Sequence, residues 1–323
     1  MKKILITGGA GYIGSVVVEL LLKENNYHIT IIDNLSEGNR KAVPEGVAFY
    51  EKDFGNRRFL NDLFKKSDFD FVIHLAASAN VPDSVINPRE YYYNNVTNTL
   101  TLLDVMLSFN VKNIIFSSTA AVYGEPKYSP IDEAHPKVPV NPYGYSKLII
   151  EKVLQDYSNA YGLNYVAFRY FCAAGATSDH GESRQKETHL IPLVVDTALN
   201  KREKVKVFGN GFSTKDGTGV RDFLHVVDIA RAHKMAIDRF EKVKNNFFNL
   251  GNNEGFSVLD IISTAQKHLS TMISWEYGHE RPGDPAALVA SNEKARKILG
   301  WYPDNNIESI ILSAYNWRKH PIY

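Results

Sequence analysis

The sequence predicts an α/β protein built on a doubly wound parallel sheet, with a smaller C-terminal α/β substrate domain. Three observations carry this. A glycine-rich turn, TGGAGYIGS over 7–15, lies between an apolar run and an amphipathic helical pattern. Strand-like and helix-like segments then alternate through the first half of the chain, as a parallel sheet with helices on both faces requires. After about residue 170 the texture changes to polar, turn-rich loops between short helical patterns.

The run Lys2-Lys3-Ile4-Leu5-Ile6 is short, apolar and β-branched, and reads as a buried parallel strand. From residue 12 to 23, Ile13, Val16, Val17, Leu20 and Leu21 recur at helical spacing. Gly8, Gly11 and Gly14 therefore sit on a strand-to-helix turn, the context that makes a glycine pattern a dinucleotide fingerprint. The first glycine permits the tight turn, the second removes a Cβ where a pyrophosphate approaches, and the third lets helix pack on strand. Amides at the helix start face the anion. An acidic residue is expected about 20 positions on, and a second strand over 28–33 ends in Asp33. A carboxylate there binds an adenosine ribose and repels a 2′-phosphate, so NAD is expected rather than NADP. The fold is accordingly Rossmann-like.

Further strands are predicted at 47–51, 69–77, 111–119 and 163–171, and helices at 56–66, 90–109 and 142–161. The second half carries short helical patterns near 189–201, 226–240, 257–268 and 306–318. This divides the chain into an NAD-binding domain over 1–170 and a second domain over 171–323 whose loops cover a further ligand. Residues 226–251 are candidates to return to the first domain, because 245–251 reads as a strand.

Lys plus Arg (37) nearly balances Asp plus Glu (36) over 323 residues, so no global field recruits nucleic acid or an anionic membrane. The single cysteine, Cys172, cannot form an internal disulfide and fits a reducing compartment. No apolar stretch approaches the roughly 18 residues that span a bilayer. A soluble cytoplasmic protein without a metal site is expected.

The chemistry concentrates in NPYGYSK, 141–147. Asn141 is a good N-cap and Pro142 a good first helical residue. Tyr143 and Lys147 then stand four apart on one helix face. A tyrosine ordinarily titrates near pH 10, so acting as a base near neutrality requires its pKa to fall by about 3, roughly 4 kcal/mol. A neighbouring ammonium, a helix N-terminus and the positive nicotinamide of NAD+ all act in that direction. Tyr145, two residues from Lys147, points elsewhere. A hydroxyl to share the proton is expected at a strand end, where Ser117, Ser118 and Thr119 are candidates.

With these motifs assembled, the sequence resembles the extended short-chain dehydrogenase/reductase superfamily and, within it, the UDP-glucose 4-epimerase family. TGGAGYIGS, IIDNLS, FSSTAAVYGE, NPYGYSKLIIE, ETHLIPLV, DGTGVRDFLHVVDIARAH, FFNLGNNEGFSV and RPGDPAALVAS occur in the family's order over essentially the whole chain. The resemblance implies reversible inversion at C4 of a UDP-hexose through a transient 4-keto sugar, with Thr119, Tyr143 and Lys147 catalytic and NAD tightly held. It implies that Tyr12 and Ile13 touch the cofactor pyrophosphate, that Asp33 and Asn34 bind the adenosine ribose region, and that Asp53 and Phe54 flank the adenine. Leu75, Ala76 and Ala77 line the groove, Asn95 lies near the reactive half, and Phe171 near the nicotinamide. For the nucleotide sugar the matching positions are Cys172, His189, Leu190, Phe208, Arg221, Phe223, Arg281 and Asp284. Two arginines opposite a pyrophosphate make physical sense.

The sequence also departs from the family. Cys172 and His189 stand where asparagines are common, and Ala79 where members often carry a lysine. Leu288 replaces a bulky tyrosine found in some relatives beside the sugar's C2 substituent, which opens the site to N-acetylated hexosamines. Ala120 and Ala121 follow Thr119 where dehydratases place an Asp-Glu pair, which argues for epimerisation. A UDP-glucuronate epimerase and a catalytically silent NAD-binding scaffold are the rival readings. Relatives pair helices corresponding to 90–109 and 142–161 across a two-fold axis, so a homodimer is expected.

Overall fold

Strand β1 (Lys2–Thr7) runs through the middle of a seven-stranded sheet and turns at Gly8 into helix α1 (Tyr12–Leu22). The structure is a computed structural model in which residues 1–184, 187–280 and 284–323 are described. The chain crosses repeatedly between two units. Met1–Glu125, Pro136–Arg169 and Ala230–Phe248 form one; Pro126–His135, Tyr170–Ile229 and Asn249–Tyr323 form the other.

In the first unit β1 is followed by β2 (Tyr27–Asp33), β3 (Ala48–Glu51), α2 (Arg57–Lys66), β4 (Phe71–His74), α3 (Val81–Ile86), α4 (Pro88–Tyr92), α5 (Asn98–Ser108), β5 (Asn113–Thr119), α6 (Pro142–Tyr161) and β6 (Asn164–Tyr170). The strand Asn246–Leu250 completes a sheet ordered Asn246–Leu250, β6, β5, β4, β1, β2, β3. The pairs β1–β2, β1–β4, β2–β3 and β4–β5 are parallel. Strand order reverses between β1 and β4, the switch point beyond whose strand ends open α/β sheets bind ligands. Leu5, Val72, Ile114 and Phe116 of the strands pack against Leu102, Met106, Ile150 and Leu154 of α5 and α6, all essentially without exposure.

Local chemistry sets the helix ends. Asn141 Oδ1 accepts the Gly144 amide at 2.9 Å, Pro142 opens α6, and Gly162, at φ +69°, ends it in the left-handed conformation. The helix predicted over 90–109 runs from Pro88 to Ser108, with one π turn over Tyr93–Thr97 joining α4 to α5. Asn95, described below, sits in that turn.

A fully buried ion pair joins β6 to α6. Arg169 donates from Nε and Nη2 to the two oxygens of Glu151, at 2.9 and 2.7 Å, and from Nη1 to Tyr123 Oη at 2.8 Å. Ser118 Oγ donates to Glu151 at 2.6 Å. Every oxygen of the carboxylate is thus partnered, as burial of a charge requires.

The second unit is built from short strand pairs around its own core. Cys172–Ala174 lies parallel to Phe223–His225, and Val205–Phe208 to Trp275–Gly278. Val220–Arg221 lies between Phe256–Ser257 and Ala287–Leu288. Val194, Val195, Val205, Val207, Ile261, Ile262, Ile310 and Ile311 are buried together, contributed in part by helices Leu190–Ala198, Val258–Leu269 and Ile307–Lys319.

Breaking the buried pair on one side is expected to be costly. Glu151→Ala should lower unfolding free energy by about 3–5 kcal/mol, read from urea denaturation. The apolar double replacement E151L/R169M should lose markedly less.

Candidate active site

The glycine turn is shaped by close approach. Gly8 has φ +76°, and a Cβ there would lie 2.6 Å from the Ala76 amide nitrogen; a Cβ on Gly14 would lie 2.0 Å from the Gly8 carbonyl oxygen. Gly11 differs, because a Cβ there would meet only the Gly8 oxygen, at an ordinary 3.4 Å. Packing does not demand glycine at that point, whereas a ligand pressed against the turn does. Gly11 is also the N-cap of α1, and no side chain caps that helix start. The first amides of a helix so left, at Tyr12, Ile13 and Gly14, suit a pyrophosphate. These features fit a dinucleotide.

Asp33, at the end of β2, is anchored by two backbone amides, Ala10 to Oδ2 at 3.0 Å and Leu35 to Oδ1 at 2.9 Å. Burial raises its pKa despite those hydrogen bonds. The carboxylate therefore holds the glycine turn in place, a role the ribose assignment did not include. Asn34 Oδ1 accepts the Ser36 amide at 3.0 Å. Asp53 Oδ1 accepts from the Gly55 amide at 2.7 Å and from Asn98 at 3.2 Å. The Phe54 side chain is in the core, edge-on to His74 with ring centroids 4.9 Å apart, so its backbone is what it presents outward. Leu75 and Ala76 both donate their amides to the Thr7 carbonyl at 3.0 Å, and Ala77 continues that loop.

Asn95 lies in the π turn and works in two directions. Its Oδ1 accepts the Ser78 amide at 2.9 Å, while Nδ2 donates to the Ser78 carbonyl at 2.9 Å and to Ser146 Oγ at 3.0 Å. Ser146 Oγ in turn donates to the Tyr143 carbonyl at 2.7 Å. Behind Asn95 the chain of polar groups continues. Thr99 Oγ1 donates to the Asn95 carbonyl at 2.8 Å, so it must accept from His74 Nε2 at 2.9 Å. The neutral His74 then accepts from Thr7 Oγ1 at Nδ1, at 2.6 Å. Burial, helped by the charge of Lys147, pushes His74 down to about 3.

Tyr143 and Lys147, the pair expected to be catalytic, sit on the first turns of α6. Lys147 is buried, donates from Nζ to the Ser117 carbonyl at 2.8 Å, and lies 5.0 Å from the Phe116 ring centroid. Burial pushes it down to about 7. Tyr143, one turn earlier, meets Tyr91 edge-on at 6.4 Å. Thr119 ends β5 two residues beyond Ser117, and its hydroxyl accepts the Ala121 amide at 3.1 Å. Ser118 is committed to Glu151, and Thr119 is the last residue of β5.

In the second unit, strand register sets the expected sugar-nucleotide positions. Cys172 is opposite Phe223, and Leu288 opposite Arg221. Arg221 Nη2 donates to Asp284 Oδ1 at 2.7 Å. Burial pushes the Cys172 thiol up to about 11, which leaves little of it as thiolate near neutrality. Phe171 is buried and hydrogen-bonded through its amide to the Leu250 carbonyl. Leu190 opens a helix for which His189 is the N-cap, and Phe208 ends its strand. Arg281 lies outside the described residues. The central organiser here was not foreseen. Asp222 is wholly buried and accepts the amides of Asn252, Asn253 and Ala290 at 2.7, 3.0 and 3.1 Å. Its own amide and carbonyl bond Leu288 and Cys172. Its place in the GVRDFLH stretch was the available signal.

Residues 4–251 match the sequence model of the NAD dependent epimerase/dehydratase family. The chain belongs to this family. Its cofactor, in line with the glycine turn, is NAD. Among the family's epimerases, the UDP-glucose 4-epimerase of Halalkalibacterium halodurans is 47% identical over 323 residues, spanning 98% of this chain and 96% of that protein. The crystal structure of UDP-glucose 4-epimerase from Bifidobacterium longum in complex with NAD+ and UDP superposes with a TM-score of 0.93 at 37% identity, covering 99% of both chains. The UDP-Glc/GlcNAc 4-epimerase of Campylobacter jejuni superposes with a TM-score of 0.86 at 40% identity, again over 99% of both.

Gly14→Ala should reduce both NAD retained on purification and thermal stability, read by released-cofactor absorbance and calorimetry. His74 supplies a pH signature. Its folded pKa lies below the unfolded value near 6.5, so between those values the unfolded chain binds the extra proton. Stability should therefore fall as pH drops from about 6.5 towards 3, by at most about 1.4 kcal/mol per pH unit from this group. His74→Gln should flatten that slope in urea titrations.

Proposed function

We infer that the protein is a UDP-hexose 4-epimerase that interconverts UDP-glucose and UDP-galactose. The observation that carries this is the buried Lys147 tied to β5 at Ser117, one helical turn from Tyr143 and two residues from Thr119. When protonated, the buried Lys147 has little solvent to screen its charge, so it favours a phenolate on its neighbour more strongly than a surface lysine would. Tyr143 takes the O4 proton, Thr119 shares the hydrogen bond with that oxygen, and Lys147 stabilises the phenolate charge. Bound NAD+ supplies the acceptor, and afterwards the donor, of the C4 hydrogen with its electron pair. Ala120 and Ala121 carry no acid or base for dehydration.

Residues 1–170 are assigned to NAD and 171–323 to the UDP-sugar, with 230–248 joining the first unit and 126–135 the second. Arg221 is assigned to the nucleotide pyrophosphate, with Cys172, His189, Leu190, Phe208, Phe223, Arg281, Asp284 and Leu288 contacting the rest of the substrate. Leu288 supports acceptance of N-acetylated UDP-hexosamines. A homodimer is supported by exposed Tyr92, Tyr93, Tyr145 and Ile149 around α4 to α6. A cytoplasmic location is supported by the lone cysteine, and among the described residues no helix is long and apolar enough to cross a membrane.

Tyr143→Phe tests the reading. The purified variant should retain NAD while turnover of UDP-galactose, followed by NMR without added cofactor, falls by about 10²–10⁴. Wild-type protein loaded with NAD that converts none of UDP-glucose, UDP-galactose, their N-acetylamino counterparts or UDP-glucuronate would leave a silent NAD-binding scaffold. Conversion of UDP-glucuronate alone would make it the uronate epimerase.

A further inference from the structure

Glu182, Arg184 and Glu187 lie around His189 in the second unit, with Arg318 and Asp196 completing the ionisable cluster, and the arrangement assigns protons. His189 Nδ1 lies 2.6 Å from Glu182 Oε1. Glu182 is 5% exposed and also pairs with Arg184 at 3.0 Å. Glu187 accepts the Thr188 and His189 amides at 2.8 and 2.9 Å and faces Arg318 at 3.6 Å. Arg318 forks onto Asp196 at 2.6 and 2.5 Å. The imidazole is 43% exposed, and among the described residues no protein group meets its Nε2.

We propose that Glu182 is a positioning residue that keeps His189 an imidazolium, whose Nε2–H then binds the pyrophosphate of the nucleotide sugar. The argument runs through the tautomer and rests on the UDP-hexose reading above. An ionised carboxylate only accepts hydrogen bonds, so the His189 proton facing Glu182 must be on Nδ1. A neutral ring with its single proton there presents a bare lone pair at Nε2, which repels a phosphate. Only the doubly protonated ring offers a donor on its open side. An asparagine at this position would donate at any pH; this site binds through a charge and loses it when the ring deprotonates.

Partial burial works to lower the His189 pKa, but the charge and hydrogen bond of Glu182 outweigh it and raise the pKa above the ordinary histidine value. The amides that start helix Leu190–Ala198 oppose an imidazolium and favour an anion, so ring and helix end attract the same ligand. The ligand atoms of Glu182, Glu187 and His189 lie within 4.8 Å of one another, yet two guanidiniums already pair with these carboxylates and Nδ1 carries a proton, so a metal ion is not the occupant.

The test uses NAD-loaded protein and UDP-glucose, whose pyrophosphate diester does not titrate between pH 6 and 9. In the wild type, KM and the calorimetric dissociation constant should be constant at low pH and then rise about tenfold as the ring deprotonates, with kcat much less affected. Glu182→Gln should displace that rise to lower pH or abolish it, and His189→Asn should show none. Nitrogen-15 NMR of histidine-labelled protein should find the neutral His189 as the Nδ1–H tautomer. A pH-independent wild-type KM, a Glu182→Gln profile that coincides with the wild type, or a neutral Nε2–H tautomer would overturn the proposal. If Glu182→Gln fails to fold, the wild-type profile, the His189→Asn comparison and the tautomer decide it. Absence of turnover overturns the epimerase reading instead, and UDP-glucose binding against pH still tests the role of His189.

Discussion

Two buried ionisable side chains one helical turn apart, Lys147 and Glu151, tie α6 to consecutive residues of β5. Lys147 reaches the Ser117 carbonyl and Glu151 takes the Ser118 hydroxyl together with the Arg169 fork. Charges in so dry a place are tolerable only with every partner in position. The register between helix and strand is therefore set by electrostatics as well as by packing. Tyr143 and Thr119, which continue the same helix and strand, inherit their separation from that register.

A second constraint reaches the same helix from the cofactor side. Hydrogen bonds run from Thr7 through His74, Thr99 and Asn95 to Ser146 and the Tyr143 carbonyl. Thr99 and Ser146 each both donate and accept, so the direction of their protons is determined by their neighbours. The strand that leads into the glycine turn and the helix that carries the phenol thus share one polar framework, with no side-chain rotamer free to drift independently.

Much of this was legible from local chemistry. Asn141 and Pro142 announced the start of α6, and the glycine spacing announced the turn, because caps and tight turns are written in adjacent residues. What escaped was whatever depends on burial. Asp222, His74 and Glu182 look like any other polar residue in a linear sequence; only the folded chain shows that amides, hydroxyls or an imidazole converge on them. Asp33 stood out as the acidic residue at the end of the second strand, but its grip on Ala10 did not, since that contact spans 23 residues. The π turn at 93–97 escaped for a related reason: apolar periodicity continues through it, and Asn95, which the turn carries, is polar and buried. The second unit was the least legible part, because strands of two to four residues carry too few positions to show an alternating pattern.

The π turn at Tyr93–Thr97 has an evolutionary corollary. Such a turn holds one residue more than regular winding would, and it survives because Asn95 bonds Ser78 and Ser146 from that extra position. Losing a single codon here would let the helix relax while swinging every side chain on one flank by about 100°. Gaps in this segment should thus be scarcer among descendants than its smooth hydrophobic face would suggest.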